Sequence, residues 1–182
     1  MVWLHRMAGR EIDLVPGSDL VAPLCAAAAR AGAPLALVGS RQATLDRAAA
    51  ILERDHPGLE VAMRIAPGMG FDPDGAEAGG IVDALASRPS GLCLLALGSV
   101  RQERFAARAS AALPGWGFAS LGAGVDFVAG DQRRAPPWVR RIAMEWAWRL
   151  SLSPRRLGGR YAGCFAVLPS LTRQALAARG RP

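Results

Sequence analysis

Short apolar segments alternate along the chain with segments whose apolar residues recur at helical spacing. Residues 34–39, 59–63, 92–97 and 118–121 are mostly apolar and predict short buried strands. Helices are predicted over residues 43–55, 81–87 and 98–112, where apolar side chains stand three and four positions apart. This β-α-β-α-β order, with apolar strands, favours an α/β fold in which helices cover both faces of a parallel sheet.

The character of the sequence changes after Pro136 and Pro137. Residues 138–150 predict a basic helix that carries tryptophans, and Pro154 is expected to end it. A tail with an apolar patch and terminal arginines follows. We therefore expect an α/β domain over residues 1–137 and a basic, helical carboxyl-terminal appendage over residues 138–182.

Composition limits the class of protein. The chain has 182 residues, of which 51% are hydrophobic and 20% charged, so it can bury one core and is not disordered throughout. Its longest apolar run, residues 91–100, is about half as long as a membrane-spanning helix requires. Residues 1–7 lack the features of a secretory signal. The cysteines, Cys25, Cys93 and Cys164, are expected to be buried thiols in a reducing cytoplasm.

The basic residues are all arginines, 22 in number, and the formal net charge is +7. Eight of them lie within residues 133–160, where Glu145 is the single acid. Arginine binds phosphate through two parallel hydrogen bonds, so this segment suits a polyanion, a diphosphate or an anionic membrane surface. The alternative is a solvated basic face. The tryptophans among these arginines are typical of a lipid headgroup interface, of base stacking or of a packed amphipathic helix.

A glycine begins the loop after the third predicted strand. Residues 98–103 (GSVRQE) lead into a helix whose free backbone N–H groups, with Arg101 and Gln102, suit a phosphate or a uracil edge. The alternative is an ordinary strand-to-helix turn. The segment is not a P-loop, because the Gly-Lys-Ser/Thr element is missing.

Another glycine-rich segment, residues 122–130, follows the last predicted strand. Its third glycine is out of register for a dinucleotide site, so NAD binding is disfavoured. Asp126 can accept a hydrogen bond from a ribose or sugar hydroxyl. Alternatively, Asp126 caps a turn or pairs with Arg133 or Arg134.

Six ordered motifs resemble those of the WecG/TagA/CpsF glycosyltransferases. Residues 98–103 match the family's G-x-P-K-Q-E element, and the other matches lie at residues 15–20, 56–61, 122–130, 134–138 and 145–161. The resemblance implies a Rossmann-like fold. It also implies inverting transfer of a sugar, of the N-acetylmannosamine, mannosaminuronate or glucose type, from a UDP donor to a polyprenyl-diphosphate-linked saccharide. Bacterial surface polysaccharide synthesis would use the product, and the protein would be cytoplasmic, docked by its basic segment on the anionic inner face of the plasma membrane.

The resemblance also implies roles for individual residues. Arg149 and Arg156 would stabilise the negative charge on the leaving UDP. The residues that would bind the substrate are Gly39, Gly98, Arg101, Gln102, Glu103, Gly122, Gly124, Asp126, Phe127, Arg134 and Arg160. Val100 and Arg101 stand where the family has proline and lysine, and both replacements are expected to be tolerated.

No metal and no cofactor is expected. Asp72-Pro-Asp74 is similar to the D-x-D pair that holds a metal in many glycosyltransferases, but a proline turn with capping side chains is the more frequent structure. His5 and His56 have no partner at ligand spacing, and the sequence contains no G-x-S-x-G motif.

The resemblance places the family's general base, an aspartate, upstream of the first residue of this sequence. A sugar hydroxyl attacks poorly without a base to take its proton, so we expect the natural protein to start further upstream. The alternative is a non-catalytic remnant that binds the UDP-sugar or the membrane.

A basic nucleic-acid-binding module is a distant alternative, because no helix-turn-helix, RNP or zinc-finger pattern accompanies the positive charge. The sequence leaves open whether the protein forms a homo-oligomer.

Overall fold

The computed structural model describes residues 2–13, 15–132, 135–136, 138–139, 144–152 and 154–179. Contacts between residues divide the chain into two units. Residues 15–133 form the sheet unit, and residues 1–14 with 134–182 form the terminal unit. The boundary expected after residue 137 stays a prediction.

Strands and helices alternate through the sheet unit, as the apolar pattern predicts. The described elements are α1 (Val2–Met7), α2 (Gly17–Ala31), β1 (Leu35–Gly39), α3 (Gln42–Asp55), β2 (Val61–Ile65), α4 (Ala76–Ala86), β3 (Leu92–Ala96), α5 (Arg101–Ala112), β4 (Gly117–Ser120), α6 (Gly124–Val128), α7 (Glu145–Leu152) and α8 (Pro154–Ala177). Of these, α2 to α6 and all four strands belong to the sheet unit.

The four strands form one parallel sheet in the order β2-β1-β3-β4. Strand β1 pairs with β2 on one side and with β3 on the other, and all five of its residues are buried. The two central strands, β1 and β3, are short and apolar throughout, which is typical of a parallel sheet buried on both faces. The predicted Rossmann-like α/β fold is confirmed.

Helices cover both faces of the sheet. Successive side chains of a strand point to opposite faces of the sheet. In β1, Leu35 and Leu37 therefore lie on one face, and Ala36 and Val38 lie on the other. The first pair packs with apolar residues of α2, α3 and α6, and the second with apolar residues of α4 and α5. The largest fully buried side chain is that of Phe105 on α5, which meets the rings of Phe71 and Phe118 edge to face. The buried apolar side chains of the described sheet unit lie in these two clusters.

Several boundaries differ from the predicted ones. Strand β2 begins two residues later than predicted, and α4 begins at Ala76, five residues before the predicted start at residue 81. The helix extends through Gly79 and Gly80 because Ala78 and Ile81 pack together in the core below α4. Helix α2, which no periodicity predicted, packs on the sheet through Val21, Cys25 and Ala28.

The terminal unit is helical. Helix α8 contacts α1 and α7, and the rings of Trp146 and Phe165 pack edge to face at a centroid distance of 5.3 Å. The predicted single helix over residues 138–150 is wrong, because Met144 lies outside any helix. Pro154 begins α8, a position that proline favours because its missing N–H would have no helical partner there. Among the described residues, no helix combines the length and apolar character that crossing a membrane requires.

Two of the three cysteines are buried, as predicted. Burial raises the pKa of the Cys25 thiol to about 11 and raises that of Cys93 further still. The prediction is wrong for Cys164, which is exposed on α8. Its neighbours Phe165 and Val167 are exposed as well, because this part of the helix is not packed into a core.

Candidate functional site

The strand order places a crevice at the carboxyl end of the sheet. The chain leaves β1 through α3 toward β2, whereas it leaves β3 through α5 toward β4 on the other side. Helices α3 and α5 also pack on opposite faces. Connections that diverge from two adjacent parallel strands open the crevice in which open α/β sheets bind ligands. The loops after β1 and β3 therefore border the candidate site.

The end of β1 is fixed against the end of β3. Gly39 has a φ of 116°, and a Cβ atom there would lie 2.4 Å from the carbonyl carbon of Ala96. The N–H of Ser40 donates to the carbonyl of Ala96 at 3.2 Å, and Ser40 itself has a φ of 58°. Close packing thus explains the glycine, and its predicted role in substrate binding stays a prediction.

The loop after β3 is also unusual in its backbone. Gly98 has a φ of 84°, and a Cβ added to it would meet no atom within 4 Å. Val100 has a φ of 72°, a strained conformation for a β-branched residue. A proline ring fixes φ near −65°, so the family's proline could not adopt this conformation. The expectation that valine is tolerated at this position stays a prediction.

Helix α5 follows this loop and begins with the guanidinium of Arg101 and the side-chain amide of Gln102. Arg101 is exposed at its first position, and Gln102 is 6% exposed at its second. The Nε2 of Gln102 donates to Oε1 of Glu103 at 2.9 Å. Its Oε1 is buried and accepts no hydrogen bond from the part of the chain that the structure describes. A buried carbonyl oxygen without a donor is uncommon in native proteins.

Asp126 lies in the short helix α6, within the glycine-rich segment over residues 122–130. Its Oδ1 accepts a hydrogen bond of 2.6 Å from the hydroxyl of Ser40, and its Oδ2 accepts one of 2.9 Å from Nε2 of Gln132. These contacts join the crevice loop after β1 to the segment after β4. A carboxylate can accept about four hydrogen bonds, so Asp126 keeps acceptor capacity. The predicted alternative, a pair with Arg133 or Arg134, concerns residues outside the described ones.

Asp131, which follows α6, is bonded to two side chains of helix α3. Its carboxylate accepts hydrogen bonds from the hydroxyl of Thr44 and from the guanidinium of Arg47. The Thr44 hydroxyl, and then Arg47, hold the pKa of Asp131 below its ordinary value. Charge-assisted bonds of this kind fix the segment after α6 on helix α3.

The structure separates the predicted site residues into two groups. The sheet unit holds residues that lie at or after the carboxyl ends of β1, β3 and β4, namely Gly39, Gly98, Arg101, Gln102, Glu103, Gly122, Gly124, Asp126 and Phe127. Gly124 is packed between Val21 and Leu121, which explains its lack of a side chain. Arg149, Arg156 and Arg160 belong to α7 and α8 of the terminal unit, and their side chains are outside the described part, as is Arg134.

Sequence reasoning missed Ser40 and Gln132. Each is identified by its bond to Asp126, a partner 86 positions away in the case of Ser40. The only local signal was a polar residue directly after a buried strand that ends in glycine.

The Asp72-Pro-Asp74 segment forms a turn, as the more frequent alternative predicted. The N–H of Asp74 donates to Oδ1 of Asp72 at 3.0 Å, and the carboxylate of Asp74 pairs with Arg104. Within the described ranges, no three His, Cys, Asp or Glu side chains are grouped so that they could hold a metal ion.

Comparison with known proteins identifies the family of the chain. The model of the glycosyl transferase WecG/TagA/CpsF family matches residues 1–181. The chain belongs to the WecG/TagA/CpsF family. Two curated relatives of this WecG/TagA/CpsF member are each named N-acetylglucosaminyldiphosphoundecaprenol N-acetyl-beta-D-mannosaminyltransferase.

The similarity to these relatives is distant but covers most of the chain. The protein of Bacillus spizizenii (strain ATCC 23059 / NRRL B-14472 / W23) is 26% identical over 157 residues, and that of Bacillus subtilis (strain 168) is 24% identical over 158 residues. Each match covers 86% of this WecG/TagA/CpsF chain and 59% of the relative. The chain thus spans about three fifths of the length of these relatives.

Proposed function

We propose that the sheet unit binds the UDP part of a UDP-sugar and that the protein serves the transfer of that sugar to a polyprenyl-diphosphate-linked saccharide. The observation that carries this proposal is the crevice between β1 and β3, together with membership of a glycosyltransferase family. The named relatives act, by their names, on N-acetylglucosaminyldiphosphoundecaprenol and transfer N-acetylmannosamine. We take the same acceptor class and an N-acetylhexosamine donor as the first pair to test.

The groups around the crevice differ in their chemistry, as a nucleoside diphosphate requires. The start of α5 offers backbone N–H groups, a positive helix dipole end and the exposed Arg101, which suit phosphate oxygens. Asp126 offers acceptor oxygens, which suit the hydroxyl groups of a ribose. The buried Oε1 of Gln102 would accept from a base N–H once a ligand reached it. We assign these three residues to the phosphate, the ribose and the base respectively.

The terminal unit would supply the lipid side of the reaction. Residues 146–182 contain no acidic residue, and α8 alone contains four arginines. Leu152, Phe165 and Val167 are about half exposed on α7 and α8. A basic surface with exposed apolar side chains binds anionic membranes peripherally. We propose that this unit docks on the cytoplasmic face of the plasma membrane and that Arg149 and Arg156 stabilise the leaving UDP.

Binding and transfer need separate tests. Calorimetry of the chain with UDP, UMP and inorganic diphosphate is expected to give saturable binding in which UDP binds most tightly. An Asp126→Asn variant should bind UDP about ten-fold or more weakly, since hydrogen bonds to a charged group are worth about 1.5–3 kcal/mol. Ser110→Ala, an exposed serine on the far half of α5, is the matched control. Failure of wild-type protein to bind UDP would overturn the proposal.

An assay of UDP release distinguishes an active transferase from a non-catalytic remnant. The donor is UDP-N-acetylmannosamine, and the acceptor is a polyprenyl-diphosphate-linked N-acetylglucosamine. A remnant would bind UDP and release none with any lipid acceptor.

Membrane docking of the terminal unit is tested by sedimentation with vesicles that contain anionic lipid, compared with neutral vesicles. Binding to DNA or RNA that falls steeply with salt would instead support the nucleic-acid alternative.

A further inference from the structure

Ser40 connects the end of β1 to the carboxylate that we assign to the ribose. Its hydroxyl donates to Oδ1 of Asp126 at 2.6 Å, and both side chains are partly buried. The other carboxylate oxygen accepts from Gln132 at 2.9 Å. One donor on each oxygen fixes the plane of the carboxylate before any ligand binds.

The backbone at Ser40 is one that glycine adopts more readily. Its φ of 58° lies in the left-handed region, which is strained for an L-residue other than glycine. The conformation is held by the hydrogen bond from its N–H to Ala96 and by the tight packing of Gly39 on the same carbonyl group. A glycine would satisfy this turn without strain. Compared with glycine, serine adds a CH2–OH group, and the partner of its hydroxyl is Asp126.

We propose that Ser40 is a positioning residue for ligand binding, which acts by orienting Asp126. A carboxylate oxygen accepts about two hydrogen bonds, so each oxygen of Asp126 retains one acceptor position after Ser40 and Gln132 have donated. Two acceptor positions on adjacent oxygens match two adjacent hydroxyl groups, as in the 2′,3′-diol of a ribose. This inference rests on the proposed function and adds to it the source of the selectivity for a ribonucleotide.

The test compares two nucleotides across a set of variants. Dissociation constants for UDP and for 2′,3′-dideoxy-UDP are measured by calorimetry with the wild type, Ser40→Ala, Asp126→Asn and the double variant. The wild type is expected to bind UDP about ten-fold more tightly than the dideoxy nucleotide. Ser40→Ala should weaken UDP binding by about five-fold or more and leave dideoxy-UDP binding within about two-fold. In the Asp126→Asn background, Ser40→Ala should have no further effect.

Controls separate positioning from folding. Ser40→Gly removes the hydroxyl and relieves the strain, so it replaces Ser40→Ala if that variant does not fold. Ser110→Ala should change neither dissociation constant. Equal weakening of both nucleotides by the Ser40 variants would show a merely structural role and overturn the inference, as would unchanged UDP binding. If the wild type bound neither nucleotide, the proposed function itself would be wrong and the inference with it.

Discussion

Gly39 and Ala96 approach each other so closely at the ends of β1 and β3 that no side chain fits between them. A Cβ atom on Gly39 would lie 2.4 Å from the carbonyl carbon and 2.6 Å from the carbonyl oxygen of Ala96. The contact fixes the two loops that border the crevice, because each loop begins within a few residues of it.

Gly39→Ala is therefore expected to destabilise the fold by about 3 kcal/mol, from the overlap with backbone and the positive φ together. Gly98→Ala is the matched control, since Gly98 also has a positive φ but open space around it. That change should cost about 1 kcal/mol. Urea unfolding of both variants measures the difference, and equal losses would contradict the packing argument.

Arg108 ties the loop before α4 to helix α5. Its Nη1 donates to the carbonyls of Pro73 at 3.2 Å and Gly75 at 3.1 Å, in a partly buried setting. Arg108→Ala should reduce the free energy of unfolding by about 2 kcal/mol, because two carbonyls lose a charged donor. Arg104, whose pair with Asp74 is exposed, is the comparison. Arg104→Ala should cost less than about 1 kcal/mol, and a larger loss than that of Arg108→Ala would refute this assignment.

Asp131 makes the stability depend on pH. The folded state depresses its pKa, chiefly through the hydroxyl of Thr44 and then through Arg47, below the ordinary value of 3.8. The stabilisation is thus present above pH 3.8 and is lost as the pH falls through the lower pKa of the folded state. Asp131→Asn should be less stable than the wild type at pH 7, and the difference should shrink below pH 4. A difference that stays constant between pH 7 and pH 2 in urea unfolding would exclude this role.

The cysteines should differ in their reactivity. Cys164 is exposed, whereas Cys25 and Cys93 are buried and have raised pKa values. Because the thiolate is the nucleophile, a thiol reagent at pH 8 is expected to label one cysteine quickly in the native protein and the others on unfolding. Cys164→Ser should remove the fast phase. Fast labelling that persists in this variant would mean that a core thiol is accessible.

The sequence predicted the sheet well because strands buried on both faces must be continuously apolar. Residues 35–39 and 92–96 are apolar throughout and too short for a typical helix, so a buried strand is the structure they predict. Helix α8 was harder to predict, because Gly158, Gly159 and Pro169 lower its helix propensity and most of its described side chains are exposed. Its 24 residues became evident only in the structure.

The candidate site was predictable only in part. Asp126 and Gln102 were identified from motifs, since glycine-flanked polar residues after a strand have a local signature. Ser40 and Gln132 have no such signature, because their roles arise from bonds formed by the tertiary fold. The left-handed backbone of Val100 could not be read from the sequence either, because valine rarely adopts it.

The most direct test of the central claim is hydrogen–deuterium exchange of the full chain with and without saturating UDP. If the crevice between β1 and β3 binds the nucleotide, amide exchange should slow in peptides that cover residues 36–47, 96–104 and 119–132. Peptides from the second half of α4, which leads to the amino end of β3, should not change. Protection confined to other segments, or no protection at a UDP concentration that saturates binding, would contradict the account.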